Sequence, residues 1–234
     1  TKVIVKSSNI GTARIAQMIG AKRQKEFLGS LGLLKATEIE MVESTGSTPL
    51  TPAKWSEIST MTISYGHGLS VTPLALTAAI GGMLNDGVYV TPTVRKHSVA
   101  SPAVGRRVFR SEVSKDMVDM MRIVVTDGTG RKANIPGYGV MGKTGTAEKP
   151  SAQGGYDQKR LVTSFVAAFP HSSPRYAMIV TLDEPKAIEG THGYATAGWN
   201  AAPAAGDVIR RIGPILPGAR DIPQFAQTTT ELTP

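Results

Sequence analysis

Residues 137–150, GYGVMGKTGTAEKP, hold one Gly-Lys-Thr that supports two incompatible folds. Residues 137–144 satisfy the phosphate-loop pattern GxxxxGK[ST], and a downstream apolar run ends in Asp183 and Glu184, as a Walker B strand would. A phosphate loop must leave a strand and enter a helix whose N-terminal amides and dipole receive the phosphates. Neither flank allows that. Lys143 is followed by TGTAEKPSAQGG, where Gly145, Pro150, Gly154 and Gly155 forbid a stable helix, and residues 131–136 upstream are no apolar strand. The alternative is a Gly-containing extended segment over residues 140–147, with Lys143 and its threonines on a sheet edge. The phosphate-loop NTPase is the weaker reading.

Further downstream, residues 161–169 and 176–182 are β-type runs joined by HSSPR at 171–175, which predicts an antiparallel hairpin. Asp183 and Glu184 are then strand-end carboxylates. Residues 201–212 suit a helix with Pro203 in its first turn, and residues 217–234 form a polar tail expected to be mobile.

Upstream the texture is helical. Residues 10–19 carry Ile15, Met18 and Ile19 at i, i+3 and i+4, with Asn9 as N-cap and Gly20 as stop. A second amphipathic stretch covers residues 22–31, and residues 45–52 and 64–68 are loops. Thr72 and Pro73 pair a hydroxyl cap with proline at the first helical position, and the nearly all-apolar residues 74–84 predict a buried helix. It stops at Asn85, Asp86 and Gly87, before a short strand at 88–90. Ser111 caps a further helix in which Val113, Met117, Met120, Met121 and Val124 keep helical spacing, so these methionines read as core. Helices, then antiparallel strands, then a closing helix make the chain α+β, an antiparallel sheet flanked by helices.

Composition narrows the function. The 234 residues suit one domain, and 41% hydrophobic content excludes a disordered chain. Without cysteine there is no disulfide framework, thiolate metal site or cysteine nucleophile. His67, His97, His171 and His192 show no metal-ligand spacing, and His67, between glycines, reads as a loop residue rather than a base. Neither metal nor cofactor is expected. The net charge of +8 could suit an acidic polymer or a membrane surface, but its sign alternates by segment and aromatics are only 6%, which argues against nucleic acid. No run of eighteen apolar residues and no signal-like start occurs.

Lys143, Thr144 and Gly145 form the triad KTG, and Ser7 and Asn9 form SxN. These two elements, with SxxK as the third, recur in penicillin-binding proteins and class A β-lactamases. Singly each is weak, since serine and asparagine before a helix usually cap it and Lys-Thr-Gly usually turns. Together, in this order and at domain-scale spacing, they are stronger. YGHGLSVTPLALTAAIGGMLNDGVYVTP (65–92) and DGTGRKANIPGYGVMGKTGTAEK (127–149) closely resemble the class B penicillin-binding proteins, and within them the septal peptidoglycan transpeptidases of cell division. The resemblance runs from Thr1 to about Arg211. It implies a serine β-lactamase/transpeptidase-like fold whose N-terminal part is missing here, with residues 1–216 the C-terminal part of the domain.

In that family a serine of SxxK attacks the D-alanyl-D-alanine amide of a stem peptide, forms an acyl-enzyme and passes the acyl group to an amine. The resemblance implies Ser7 as a catalytic shuttle hydroxyl and Asn9 as the holder of substrate backbone. It implies that Lys143 supplies positive charge, that Thr144 and Thr146 donate to the substrate carboxylate, and that Gly145 lets substrate lie against the strand. The Thr146 amide would contribute to the oxyanion hole. Residues 194–199 align with the loop that rims the family's pocket, and Tyr194 there is a candidate substrate contact. The implied partners are stem peptides ending in D-Ala-D-Ala, β-lactams and membrane proteins of the division complex, at the periplasmic face of the bacterial inner membrane.

No serine stands three positions before a lysine; Thr51, Thr93 and Thr129 are threonines in the wrong part of the chain. The nucleophile is therefore expected upstream of Thr1, and the chain alone is expected to be inactive. A catalytically silent division scaffold is the alternative of another class.

Overall fold

Ser8 starts the first long helix. Its extended backbone lets the hydroxyl accept the Gly11 amide at 3.1 Å, so α2 (Asn9–Ile19) begins at Asn9 and Ser8, not Asn9, is the N-cap. A single turn, α1 (Lys2–Val5), precedes it, and Gly20 at φ 80 breaks α2 from α3 (Ala21–Ser30). The computed structural model describes residues 1–97, 104–151 and 154–221. It divides into two compact units, Thr1–Met120 with Ala147–Lys149, and Met121–Thr146 with Pro150–Pro234.

The first unit continues with α4 (Glu57–Ser64), a helix that its Ser/Thr-rich sequence does not announce. Local bonds supply it: the Ser56 hydroxyl accepts the Ser59 amide at 3.1 Å, and the buried Thr60 hydroxyl donates back to Ser56 O at 2.8 Å. Gln24 of α3 donates to Thr60 O at 2.8 Å and accepts from the Trp55 indole at 3.0 Å, which joins the two helices through a buried amide. Helix α5 (Pro73–Leu84) starts as its sequence predicts, with Thr72 accepting the Ala75 amide at 3.1 Å. Its apolar residues are not all buried: Ala75, Ala79, Gly82 and Leu84 turn inward, while Leu74 stays exposed. Small residues on the inner stripe let β1 (Val88–Val90) press on the helix, and a Cβ on Gly82 would meet Tyr89 Cα at 2.8 Å. An exposed strand, β2 (Gly105–Arg107), pairs antiparallel with β1 and has no hydrophobic pattern to reveal it. Helix α6 (Ser111–Thr126) follows; Arg110 O accepts the first helical amide, from Ser114, so Ser111 is already inside.

The second unit is built on a sheet of order β3-β4-β5. β3 (Met141–Pro150) and β4 (Tyr156–Phe169) both exceed the runs legible as apolar, and β5 (Tyr176–Asp183) pairs antiparallel with β4 from Val162↔Asp183 to Phe169↔Tyr176. Residues 165–169 of β4 are buried, because α7 (Ala201–Ile212) covers that part of the sheet. Helix α7 turns Ala201, Ala202, Ala205, Gly206 and Ile209 inward, and this small-residue stripe lets it lie close. Val125, Phe165, Phe169, Tyr138 and Ile135 complete the core. Met121 is buried as its spacing predicts, whereas Met117 and Met120 are half-buried.

Residues 217–221 pack rather than trail: Tyr176 donates to Pro217 O at 2.7 Å, Ala219 is buried, and Asp221 accepts the Ser172 amide at 3.0 Å. The rest of the expected tail, 222–234, lies outside the described residues. Among the described residues no helix is long and apolar enough to cross a membrane, and no cluster of His, Asp and Glu could hold a metal.

Candidate active site

β3 is an edge strand. Its far side carries no strand among the described residues, so its backbone can receive an extended peptide. Side chains alternate along it, placing Lys143 and Gly145 on one face and Gly142, Thr144 and Thr146 on the other. Lys143 is half-buried and donates from Nζ to Thr144 O at 2.9 Å. Burial disfavours its charged form and holds it below the usual lysine range. The positive charge that the triad was expected to supply is therefore held at a cost that a bound anion would offset.

The two glycines of the strand differ. A Cβ on Gly142 would meet the Val166 carbonyl and Phe165 Cζ, the latter at 2.5 Å, so the sheet itself requires glycine there. A Cβ on Gly145 would find only Ser164, with Oγ at 3.4 Å and the carbonyl oxygen at 3.9 Å, both ordinary contacts, and its φ is not positive. Among the described residues nothing crowds position 145, which has room for a methyl group.

Two loops brace the threonine face. Thr144 Oγ1 lies 2.7 Å from the Thr129 hydroxyl, and Thr146 Oγ1 accepts the Ala197 amide at 3.1 Å. Because that amide is a donor only, the Thr146 hydroxyl keeps its own proton to give. The Ala197 loop is held by Asn200, whose Oδ1 accepts from the Ala201 amide at 2.6 Å and from the buried Thr163 hydroxyl at 2.9 Å. Its Nδ2 donates to Ala195 O at 2.9 Å. Tyr194 stacks on Trp199 at 5.3 Å between centroids, with the Lys132 ammonium 4.2 Å from the Trp199 centroid. Thus Lys143, Thr144, Gly145, Thr146 and Tyr194 all belong to the second unit, four on one strand and the fifth on a loop tied to it.

Ser7 and Asn9 belong to the first unit, at the corner between α1 and α2. Ser7 is left-handed, at φ 52, with its amide donating to Ile4 O at 3.1 Å. That conformation costs a non-glycine residue roughly 1 kcal/mol and marks sites where placement of a side chain matters. Asn9 is exposed at the first position of α2.

The phosphate-loop alternative is overturned. Lys143 and Thr144 lie inside a strand that runs to Pro150, not at the mouth of a helix. Asp183 ends β5, and Glu184, just past it, accepts from Arg160 at 2.8 Å, as a strand-end carboxylate should. His67 lies in a loop, its ring tilted on Tyr65. Sequence reasoning gives Thr129 and Asn200 no part in the site and takes Ala197 only as part of the 194–199 loop. The glycines around Thr129 signalled only a turn, and the helix-preceding Asn200 only a cap.

The model of the penicillin-binding protein transpeptidase domain matches residues 1–210. The chain is 43% identical over 223 residues to the Probable peptidoglycan D,D-transpeptidase FtsI of Caulobacter vibrioides, covering 92% of this chain and 38% of that protein. It is 35% identical over 189 residues to the Peptidoglycan D,D-transpeptidase FtsI of Escherichia coli K12, covering 80% and 32%. Among solved structures it is similar to the apo TP domain of Burkholderia pseudomallei penicillin-binding protein 3. The TM-score there is 0.83 at 33% identity, covering 94% of this chain and 65% of that one. The chain thus spans less than two-fifths of the length of these curated relatives.

Proposed function

The chain belongs to the penicillin-binding protein transpeptidase family, and on that premise we propose that it carries the substrate-binding part of a peptidoglycan D,D-transpeptidase of septal wall synthesis. The observation that carries this reading is the open β3 edge, where Lys143, Thr144, a sterically unexplained Gly145 and Thr146 follow one another.

A stem peptide ending in D-Ala-D-Ala adds to that edge as an extended strand. Its terminal carboxylate meets the hydroxyls of Thr144 and Thr146 in the field of Lys143, in charge-assisted bonds worth about 1.5–3 kcal/mol each. A serine oxygen bonds to the penultimate carbonyl carbon while the Thr146 amide stabilises the oxyanion; the C–N bond breaks and D-alanine leaves with the proton that Ser7 relays. Asn9 holds the peptide backbone, and Tyr194 flanks it. An amine of a second strand then attacks the ester and releases the serine. β-Lactams enter the same site and leave a stable ester. The nucleophile is supplied by residues outside these 234, since no serine here stands three before a lysine. We place the protein at the periplasmic face of the inner membrane, among division-complex membrane proteins, and take residues 1–216 as the C-terminal part of its domain.

Labelling with a fluorescent penicillin tests this. The chain alone should take no covalent label, and the full product of the reading frame that encodes it should take one label, lost on Lys143→Ala. A stable label on the isolated chain would refute the external nucleophile, and an unlabelled full-length protein would refute the transpeptidase.

A further inference from the structure

We propose that Thr129 is a positioning residue for carboxylate recognition, acting through the hydroxyl of Thr144; the proposal rests on the transpeptidase reading above. Three contacts fix Thr129 where α6 gives way to the loop. The neighbouring Gly130 is packed so tightly on Phe165 that a Cβ would lie 3.0 Å from the ring. The Thr129 carbonyl lies 2.8 Å from where a Cβ on Gly198 would stand, so the second bracing loop also closes on it. Its hydroxyl is 2.7 Å from Thr144 Oγ1. Backbone and side chain are thus both held.

The consequence follows from hydroxyl chemistry. Each threonine hydroxyl has one proton and can accept as well, so a bonded pair has a direction that the geometry leaves open. A carboxylate accepts only. When one docks on Thr144, that hydroxyl must donate outward, and its remaining lone pair is satisfied if Thr129 donates into it. Thr129 then sets the direction of the Thr144 proton and, by polarising that hydroxyl, strengthens the outward bond. On Thr146 the Ala197 amide does the same work, with its direction fixed because an amide can only donate. The strand therefore presents two outward-facing hydroxyl protons, each backed by an inward donor from a different loop. A ligand with a neutral group in place of the carboxylate gains little from this arrangement.

The test uses the full product of the reading frame and its acylation rate constant by benzylpenicillin and by the neutral penicillin methyl ester. Thr129→Val, which keeps the shape and removes the hydroxyl, should slow acylation by the carboxylate ligand about 5- to 20-fold, the range expected for loss of one supporting bond to a charge-assisted contact. The slower ester reaction should change less than about 2-fold, within the scatter of a substitution that leaves geometry intact. Thr129→Ser should restore the carboxylate reaction. In a Thr144→Val background Thr129→Val should cost nothing further, because its route is gone. Equal losses with both ligands, no loss with benzylpenicillin, or additive losses in the double variant would overturn the proposal while leaving the transpeptidase standing. A wild-type protein that benzylpenicillin does not acylate would overturn both. Should Thr129→Val fail to fold, Thr129→Ala put through the same cycle decides.

Discussion

Gly142 and Gly145 stand three positions apart on β3 with different reasons for being glycine, and substitution should separate them. Gly142→Ala forces a methyl against the Val166 carbonyl and the Phe165 ring, and overpacking of this kind costs about 1–3 kcal/mol. Gly145→Ala has room, so its urea midpoint should stay near that of the parent while penicillin acylation of the full-length protein falls steeply. Equal destabilisation by the two would mean that Gly145 serves the fold. Lys143 gives a second prediction at this scale. Burial lowers its folded-state pKa below the ordinary 10.5, so the unfolded chain binds more protons at alkaline pH. Stability should therefore rise as pH climbs through the folded value and level off above the ordinary one. Tyr89, raised by burial above its usual 10.0, works in the opposite sense there, because the unfolded tyrosine ionises first. The difference between the parent and Lys143→Met isolates the lysine: the parent should gain on the variant as pH rises, by urea titration at several pH values. Acylation should move the other way, falling as the lysine loses its charge.

At the scale of elements, the site depends on how loops are tied to the strand. Asn200 is a node at the start of α7: it caps the helix, accepts from buried Thr163 on β4 and holds the loop that brings the Ala197 amide to Thr146. Asn200→Ala leaves the Thr163 hydroxyl without that acceptor and removes the cap, which should cost about 1–3 kcal/mol of stability. Chemical denaturation measures the loss, and a drop below about 0.5 kcal/mol would show that solvent takes over these bonds. By contrast Thr72→Ala, at the cap of α5 far along the chain, should cost about 1 kcal/mol and leave the urea dependence otherwise unchanged.

For the whole molecule, chemistry follows from strand against helix at one lysine. A Gly-Lys-Thr at the mouth of a helix would bind a nucleotide through backbone amides; inside an edge strand it offers side-chain hydroxyls and an ammonium instead. Magnesium-ATP should accordingly show no saturable heat on calorimetric titration into the protein. A 1:1 isotherm would contradict the strand assignment. The net charge of +8 is a weaker guide: any retention of DNA should vanish at physiological salt, because screening removes backbone contacts and aromatics make up only 6% of the chain.

Local rules carried much of this protein. Thr72 and Pro73 announce α5, residues 171–175 announce the β4–β5 turn, and the glycines and prolines after Lys143 rule out a helix, because caps, turns and breakers act within a few residues of themselves. The joint presence of Ser7, Asn9 and the Lys143 triad was also legible, since spacing needs no coordinates. Tertiary structure alone decided the rest. The exposed β2 is a strand because β1 pairs with it, β4 runs on past its apolar half in a sheet where it lies between β3 and β5, and α4 is a helix because Gln24 and its own caps hold it. Thr129 and Asn200 gain their meaning from partners 15 and 37 residues away. A sequence records which groups can donate or accept, but only the fold brings a donor to its acceptor and so fixes which way each proton points.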